Sequence, residues 1–251
     1  MKNEKVPFTT HLSELRHCLI ISCAAIGIGT VISFVFSKKI FFLLARPIVK
    51  ILPEDQPMIF TALTEAFFTY FKVAILSGLV LASPIVFHQI WKFVAPGLYE
   101  NERRYVIPFV ACATLFFILG GLFAYFVVFP IGFKFFLGFS TENLKLLPRM
   151  KEYFSFTLKL LLAFGLIFEM PVFSLFFSKI GLINSEMLAS KRRYALVLVF
   201  VAAAILTPPD IGTQLLMAGP LIVLYEVSIW VAKVFGPKPQ LKEANGTMHD
   251  S

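Results

Sequence analysis

Charge is scarce in this sequence. Only 15% of its 251 residues are Asp, Glu, Lys or Arg, against about 25% in an ordinary soluble domain. Cysteine is scarcer still: Cys18, Cys23 and Cys112 stand in apolar surroundings without C-x-x-C spacing, so no disulfide framework is indicated. The four histidines form no cluster with them, and no metal site is expected. There is no G-x-x-x-x-G-K-S/T and no other glycine-rich phosphate loop, hence no nucleotide-binding motif and no expected cofactor. H-E-x-x-H and a nucleophile paired with a base are missing too, which argues against an intramembrane enzyme.

What is abundant is apolar surface. The chain is 58% hydrophobic with mean hydropathy +0.81, the composition of an integral membrane protein. A bilayer core of about 30 Å takes roughly 20 apolar helical residues per crossing, so this length allows five to seven spans and no separate soluble domain. The net charge of +8 invites a nucleic-acid reading, but Lys and Arg sit in short clusters at the ends of apolar runs. Membrane topology explains that placement, and no nucleic-acid partner is expected.

The expected fold class is all-α: a polytopic membrane protein of six transmembrane helices preceded by a short amphipathic helix. The spans fall at about residues 18–36, 66–90, 105–129, 152–180, 194–206 and 212–235, in one membrane domain, 1–235, with a polar, disordered tail, 236–251. Leu12, Leu15 and Leu19 recur at helical spacing and predict the amphipathic helix at the membrane surface. Lys38 and Lys39, rather than a small-residue cleavage site, follow the first span, which argues against a removed signal peptide.

Residues 37–65 read as a structured external loop in which Arg46-Pro47, Pro53 and Pro57 break any long helix. Pro84 should kink the second span. Gly120 and Ala124, four apart in the third, offer a face on which a neighbouring helix can approach closely. The fifth span has about twelve apolar residues, too few for the usual hydrocarbon thickness, so the bilayer thins there or polar groups sit below its surface. On this topology thirteen of the 23 Lys and Arg lie with the two termini, and the positive-inside rule puts both in the cytoplasm.

Residues 84–104, P-I-V-F-H-Q-I-W-K-F-V-A-P-G-L-Y-E-N-E-R-R, crowd polar, aromatic and turn-forming side chains into the connection between spans two and three. Trp91 and Tyr99 fit an interfacial aromatic belt. Glu14 on the first helix and Glu102 in this connection have two readings. Either each complements a helix N-terminus and pairs with Arg16, Arg103 or Arg104, or both face one groove and take guanidinium groups through bidentate hydrogen bonds. Glu169, inside span four, costs roughly 2.5–3.5 kcal/mol if charged at the bilayer centre. Either it is protonated and bonded to a carbonyl freed by Pro171, or it faces a cavity or a partner helix, with Thr207 and Gln214 extending the polar patch.

Several stretches, in order, resemble the TatC family, the multispanning core of the twin-arginine protein translocase. They are H-L-S-E-L-R at 11–16, Q-I-W-K-F-V-A-P-G-L-Y-E-N-E-R-R at 89–104, F-A-Y-F-V-V-F-P at 123–130, F-G-L-I-F-E-M-P-V at 164–172, K-R-R-Y at 191–194, T-P-P-D at 207–210 and L-Y-E at 224–226. One departure is His17, where the family commonly carries a second basic residue.

The resemblance implies a receptor in the bacterial inner membrane for folded precursors whose signal peptides carry consecutive arginines. It implies single-span TatA and TatB partners, self-association in the complex, contact with membrane lipid, and the proton gradient as energy source. By motif, Glu14 and Glu102 match the acidic residues that bind the arginine pair, with Phe93, Arg16 and Arg103 beside them. Glu169 matches the buried glutamate of span four, assigned to partner-helix contact or to a polar site that perturbs the bilayer. Pro47, Tyr125, Pro96 and Asp210 match positions that are structural or linked to transport. The rival class is a secondary transporter of a small solute or ion built around an intramembrane carboxylate. It predicts inverted repeats, and the first three spans show no convincing similarity to the last three.

Overall fold

The computed structural model describes residues 8–52, 58–94, 106–138, 148–207 and 211–236, and these are helical throughout apart from connections and one isolated bridge. The helices are α1 (Phe8–Val35), α2 (Ser37–Val49), α3 (Glu65–Val94), α4 (Val106–Phe123), α5 (Phe129–Leu137), α6 (Met150–Phe168), α7 (Met170–Lys179), α8 (Ser185–Ser190), α9 (Arg192–Leu206) and α10 (Ile211–Phe235). Among the described residues, five stretches are long and apolar enough to cross a membrane: Leu12–Val35, Glu65–Val94, Val106–Leu137, Met150–Lys179 and Ile211–Phe235. The expected short fifth span corresponds to α9, whose 15 residues rise about 22 Å.

The amphipathic segment predicted before the first span is the opening of α1 itself. No glycine or proline separates Leu12 from the apolar run, and extending a formed helix is easier than ending and restarting it. Leu12, Leu15 and Leu19 are all exposed. The connection between the first two spans is also more regular than its prolines suggested. Pro47 lies in the last turn of α2, and the helix buries Phe41, Leu44, Ala45 and Ile48 along one side.

Helix interiors show how proline is accommodated where water is scarce. Pro84 cannot donate to the carbonyl of Val80, yet α3 continues through it; the freed oxygen accepts from Ser83 Oγ at 2.7 Å. Before Pro130 the chain widens into a π-helical turn, Ala124–Val128, in which the Phe129 N–H reaches back to the Ala124 carbonyl. At Glu169 the α6–α7 helix tightens instead: its N–H donates to the Leu166 carbonyl at 3.1 Å, and Pro171 follows at the start of α7.

Glycines set the closest crossings. A side chain on Gly29 of α1 would collide with the backbone of Gly78 on α3, and one on Gly78 with the backbone of Thr30. Gly120 packs against Phe164 and Gly165 of α6, and Gly165 in turn receives the ring of Phe117. The small-residue face anticipated at Gly120 and Ala124 is therefore an interface, and Ala124 is fully buried.

Two apolar clusters flank that crossing. One joins α2, α5, α6, α9 and α10 around Phe41, Phe129, Phe154, Phe164 and Met217, with the Phe41 and Phe154 rings stacked at 4.2 Å. The other joins α3, α4 and α7 around Phe87, Trp91, Phe117 and Phe176. Trp91 corrects the expectation of an interfacial belt residue: it is buried, stacked on Phe109 at 5.2 Å and edge-on to Phe176 at 4.3 Å. Its large ring gains more from aromatic contacts among three helices than from a place at the headgroups.

Gly120→Ala should destabilise the protein by about 1–3 kcal/mol through overpacking. Gly121→Ala, whose added methyl meets nothing within 4 Å, should leave the melting temperature in detergent unchanged. Thermal unfolding of the two variants side by side checks the contrast.

Candidate functional site

The residues singled out by sequence fall in two regions. The first is the end of the α1–α3 pair nearest the connection to α4. These helices run antiparallel with Gly29 against Gly78, and fifteen residues separate Gly29 from Glu14, as they do Gly78 from Phe93. Equal rise per residue then brings Glu14 level with Phe93. Glu14 and Arg16 are exposed on α1, and Phe93 is half-buried in the last turn of α3. Glu102, Arg103, Pro96 and Asp210 lie outside the described residues.

The second region is the α6–α7 break. Glu169 is 1% exposed there, between Phe164 of one apolar cluster and Val172 of the other. Its Oε1 has no hydrogen-bond partner among the described residues. A buried acceptor left unsatisfied costs free energy, so packing alone does not explain a glutamate at this position.

Thr207 and Gln214 do not extend this patch. The Thr207 hydroxyl donates to Ala203 of its own helix at 2.9 Å, and its side chain shares a small cavity with Phe156 and Leu160. Leu160 is nine residues from Glu169, roughly 13 Å along α6. Gln214 Nε2 donates to the Phe200 carbonyl at 3.0 Å, tying α10 to α9. Sequence places these residues at helix ends but cannot say which neighbour each end meets.

Tyr125 and Pro47 belong to the packing of α2 against the rest of the molecule. Tyr125, in the π-helical turn, donates its hydroxyl to the Leu43 carbonyl on α2 at 2.7 Å, and Tyr153 donates to Leu44 at the same length. Pro47 is buried in α2.

Sequence reasoning passed over Glu65. One oxygen, Oε2, accepts from the Thr61 N–H at 2.9 Å and more weakly from the Thr61 hydroxyl and the Ala62 N–H; Oε1 accepts from the Lys151 N–H at 2.7 Å. Beside it, Ile59 and Arg149 form a short parallel bridge. A carboxylate that opens a helix after a Thr-rich turn was the available signal, but its partner at Lys151 lies 86 residues away. Arg192 and Glu226 form a second unanticipated link, a bidentate pair at 2.8 and 2.9 Å that fastens the start of α9 to α10.

Residues 10–220 match the family described as TatC, Sec-independent protein translocase protein. The Sec-independent protein translocase protein TatC of Desulforapulum autotrophicum is 49% identical over 242 residues, covering 96% of this chain and 90% of that one. Its counterpart in Escherichia coli is 36% identical, covering 94% and 92%. A crystal structure of the twin-arginine translocase receptor TatC superposes with a TM-score of 0.81 at 45% identity, over 89% of this chain and 98% of the other.

The two buried acids should respond to substitution in opposite directions. Glu169→Leu removes an unsatisfied oxygen and should leave stability unchanged or raise it by about 1–3 kcal/mol. Glu65→Ala strands the backbone donors of Thr61, Ala62 and Lys151, and should lower the melting temperature and expose the connection at residues 58–64 to protease. Thermal unfolding and limited proteolysis in detergent read both.

Proposed function

This chain belongs to the TatC family and is a multi-pass inner-membrane component of the Sec-independent, twin-arginine protein translocase, and from that premise we propose how its surfaces are used. The cytoplasmic face reads the signal peptide. Glu14 and Glu102 accept the paired arginines through charge-assisted, bidentate hydrogen bonds, with Phe93, Arg16 and Arg103 around them. The observation that carries this reading is the α1–α3 register, which brings Glu14 level with Phe93 at the end of α3 that leads into the connection bearing Glu102.

Carboxylates suit the task because guanidinium offers a planar fork of donors that lysine lacks. Apolar residues following the arginines in the signal peptide then bury against the outer faces of the spans, adding roughly 25 cal/mol per Å² of apolar surface removed from water. Both termini face the cytoplasm, and α9 completes a sixth, short crossing that favours a locally thinned bilayer.

Glu169 is the attachment point for a single-span partner of the TatA or TatB type. A partner helix carrying a polar side chain at that depth reaches Oε1 once the packing of α4 on the α6–α7 joint parts, and then supplies the hydrogen bond that this buried oxygen lacks. Thr207 and Gln214, whose polar atoms are already bonded within the chain, contribute to a separate surface at the α9–α10 end. Energy comes from the proton-motive force across the membrane.

Photocrosslinking of a twin-arginine signal peptide to purified protein tests the receptor assignment. Glu14→Ala and Glu102→Ala should each reduce crosslinking about tenfold or more, the loss of a hydrogen bond to a charged group. Undiminished, arginine-independent crosslinking in both variants would sink it. Glu169→Ala should weaken co-purification of TatA- and TatB-type partners while leaving signal-peptide crosslinking intact; the reverse pattern would remove the partner role.

A further inference from the structure

The end of the molecule at which α2 lies carries two neighbouring cavities of contrasting chemistry. The larger, 450 Å³, is lined by α1, α3 and α4 through apolar residues such as Ile32, Leu76, Val80 and Leu122. The smaller, 300 Å³, is lined by Arg46, Lys50 and Lys134 together with Pro47 and Pro130. They share Leu43, Tyr125 and Phe126 as a common wall.

The pair is built for an occupant with both chemistries. Arg46, Lys50 and Lys134 are exposed and line one small space from α2 and α5, with no carboxylate paired to them among the described residues. The wall that this space shares with the larger cavity leads directly from the cations to apolar side chains of α1, α3 and α4.

We propose that this double cavity holds one anionic diacyl phospholipid, with its phosphate among Arg46, Lys50 and Lys134 and an acyl chain along the apolar groove. Three convergent cations recognise a phosphate headgroup as a cluster, and the adjoining groove requires that the phosphate carry hydrocarbon. A free phosphate satisfies the first feature alone, and a neutral detergent the second alone. The inference is independent of the signal-peptide and partner assignments, because none of those residues lines either cavity.

Native mass spectrometry of the purified full-length chain, equilibrated with phosphatidylglycerol or phosphatidylcholine of the same acyl chains, tests it. The wild type should retain phosphatidylglycerol preferentially. The variant combining Arg46→Gln, Lys50→Gln and Lys134→Gln should lose retention by about a hundredfold. Lys38→Gln with Lys39→Gln, neighbouring exposed cations outside both cavities, should keep the preference. Gly121→Leu, which fills the groove from a position with open space beside it, should reduce retention of either lipid. Equal retention of the two lipids by the wild type, an unchanged triple variant, an equal loss in the Lys38 and Lys39 control, or no effect of Gly121→Leu would each overturn the proposal. Circular dichroism confirms that each variant remains helical; should the triple variant not fold, Lys50→Glu alone serves as the headgroup test.

Discussion

Within a bilayer every backbone carbonyl needs a donor from the protein itself, and in this chain proline repeatedly takes one away. The repairs shape the molecule. Behind Pro84 a serine one residue earlier closes the gap and α3 stays whole; ahead of Pro130 the helix widens by a residue and turns Tyr125 towards α2. At Pro171 the chain tightens into a break, and the residue at that break is Glu169. The carboxyl is thus held at a joint, buried between two aromatic clusters, where straight helix would have offered only an apolar face.

Glycine supplies the complementary device. Gly29 on Gly78 and Gly120 on Gly165 bring backbones close enough to fix the helices in register, and register determines which side chains share a level. The proposed receptor face depends on this, since a longitudinal shift of α1 by one turn would carry Glu14 about 5.4 Å from Phe93. Arg192 and Glu226 do similar service at α9, which is too short to find its depth from hydropathy alone.

The helical membrane architecture was legible in the sequence because twenty-residue apolar runs have few other uses. What lies between the runs was less so. Arg46-Pro47 looked like a helix breaker, yet proline in a final turn deprives little of the helix of its bonds, and α2 forms. Trp91 suited a headgroup belt by residue type; only the arrangement of α3, α4 and α7 reveals the pocket that buries it. Glu65 went unnoticed because its meaning depends on a contact 86 residues away. For the candidate site, the unusual cost of Glu169 was readable from physics, whereas the roles of Glu14 and Glu102 rested on resemblance to a family. Thr207 and Gln214 were grouped with Glu169 by polarity, which says nothing about which level of a neighbouring helix each one meets.

The joint made by Glu65 and the Ile59–Arg149 bridge has a mechanical meaning. One carboxylate at the head of α3 grips both the turn that precedes it and the first residues of α6, so the two connections form a single truss rather than two independent straps. A sideways load on either connection is passed into the axes of α3 and α6, where it is resisted along the length of two membrane-spanning helices. A component of a protein translocase gains from such a frame, because one rim of the molecule keeps its span while other parts rearrange.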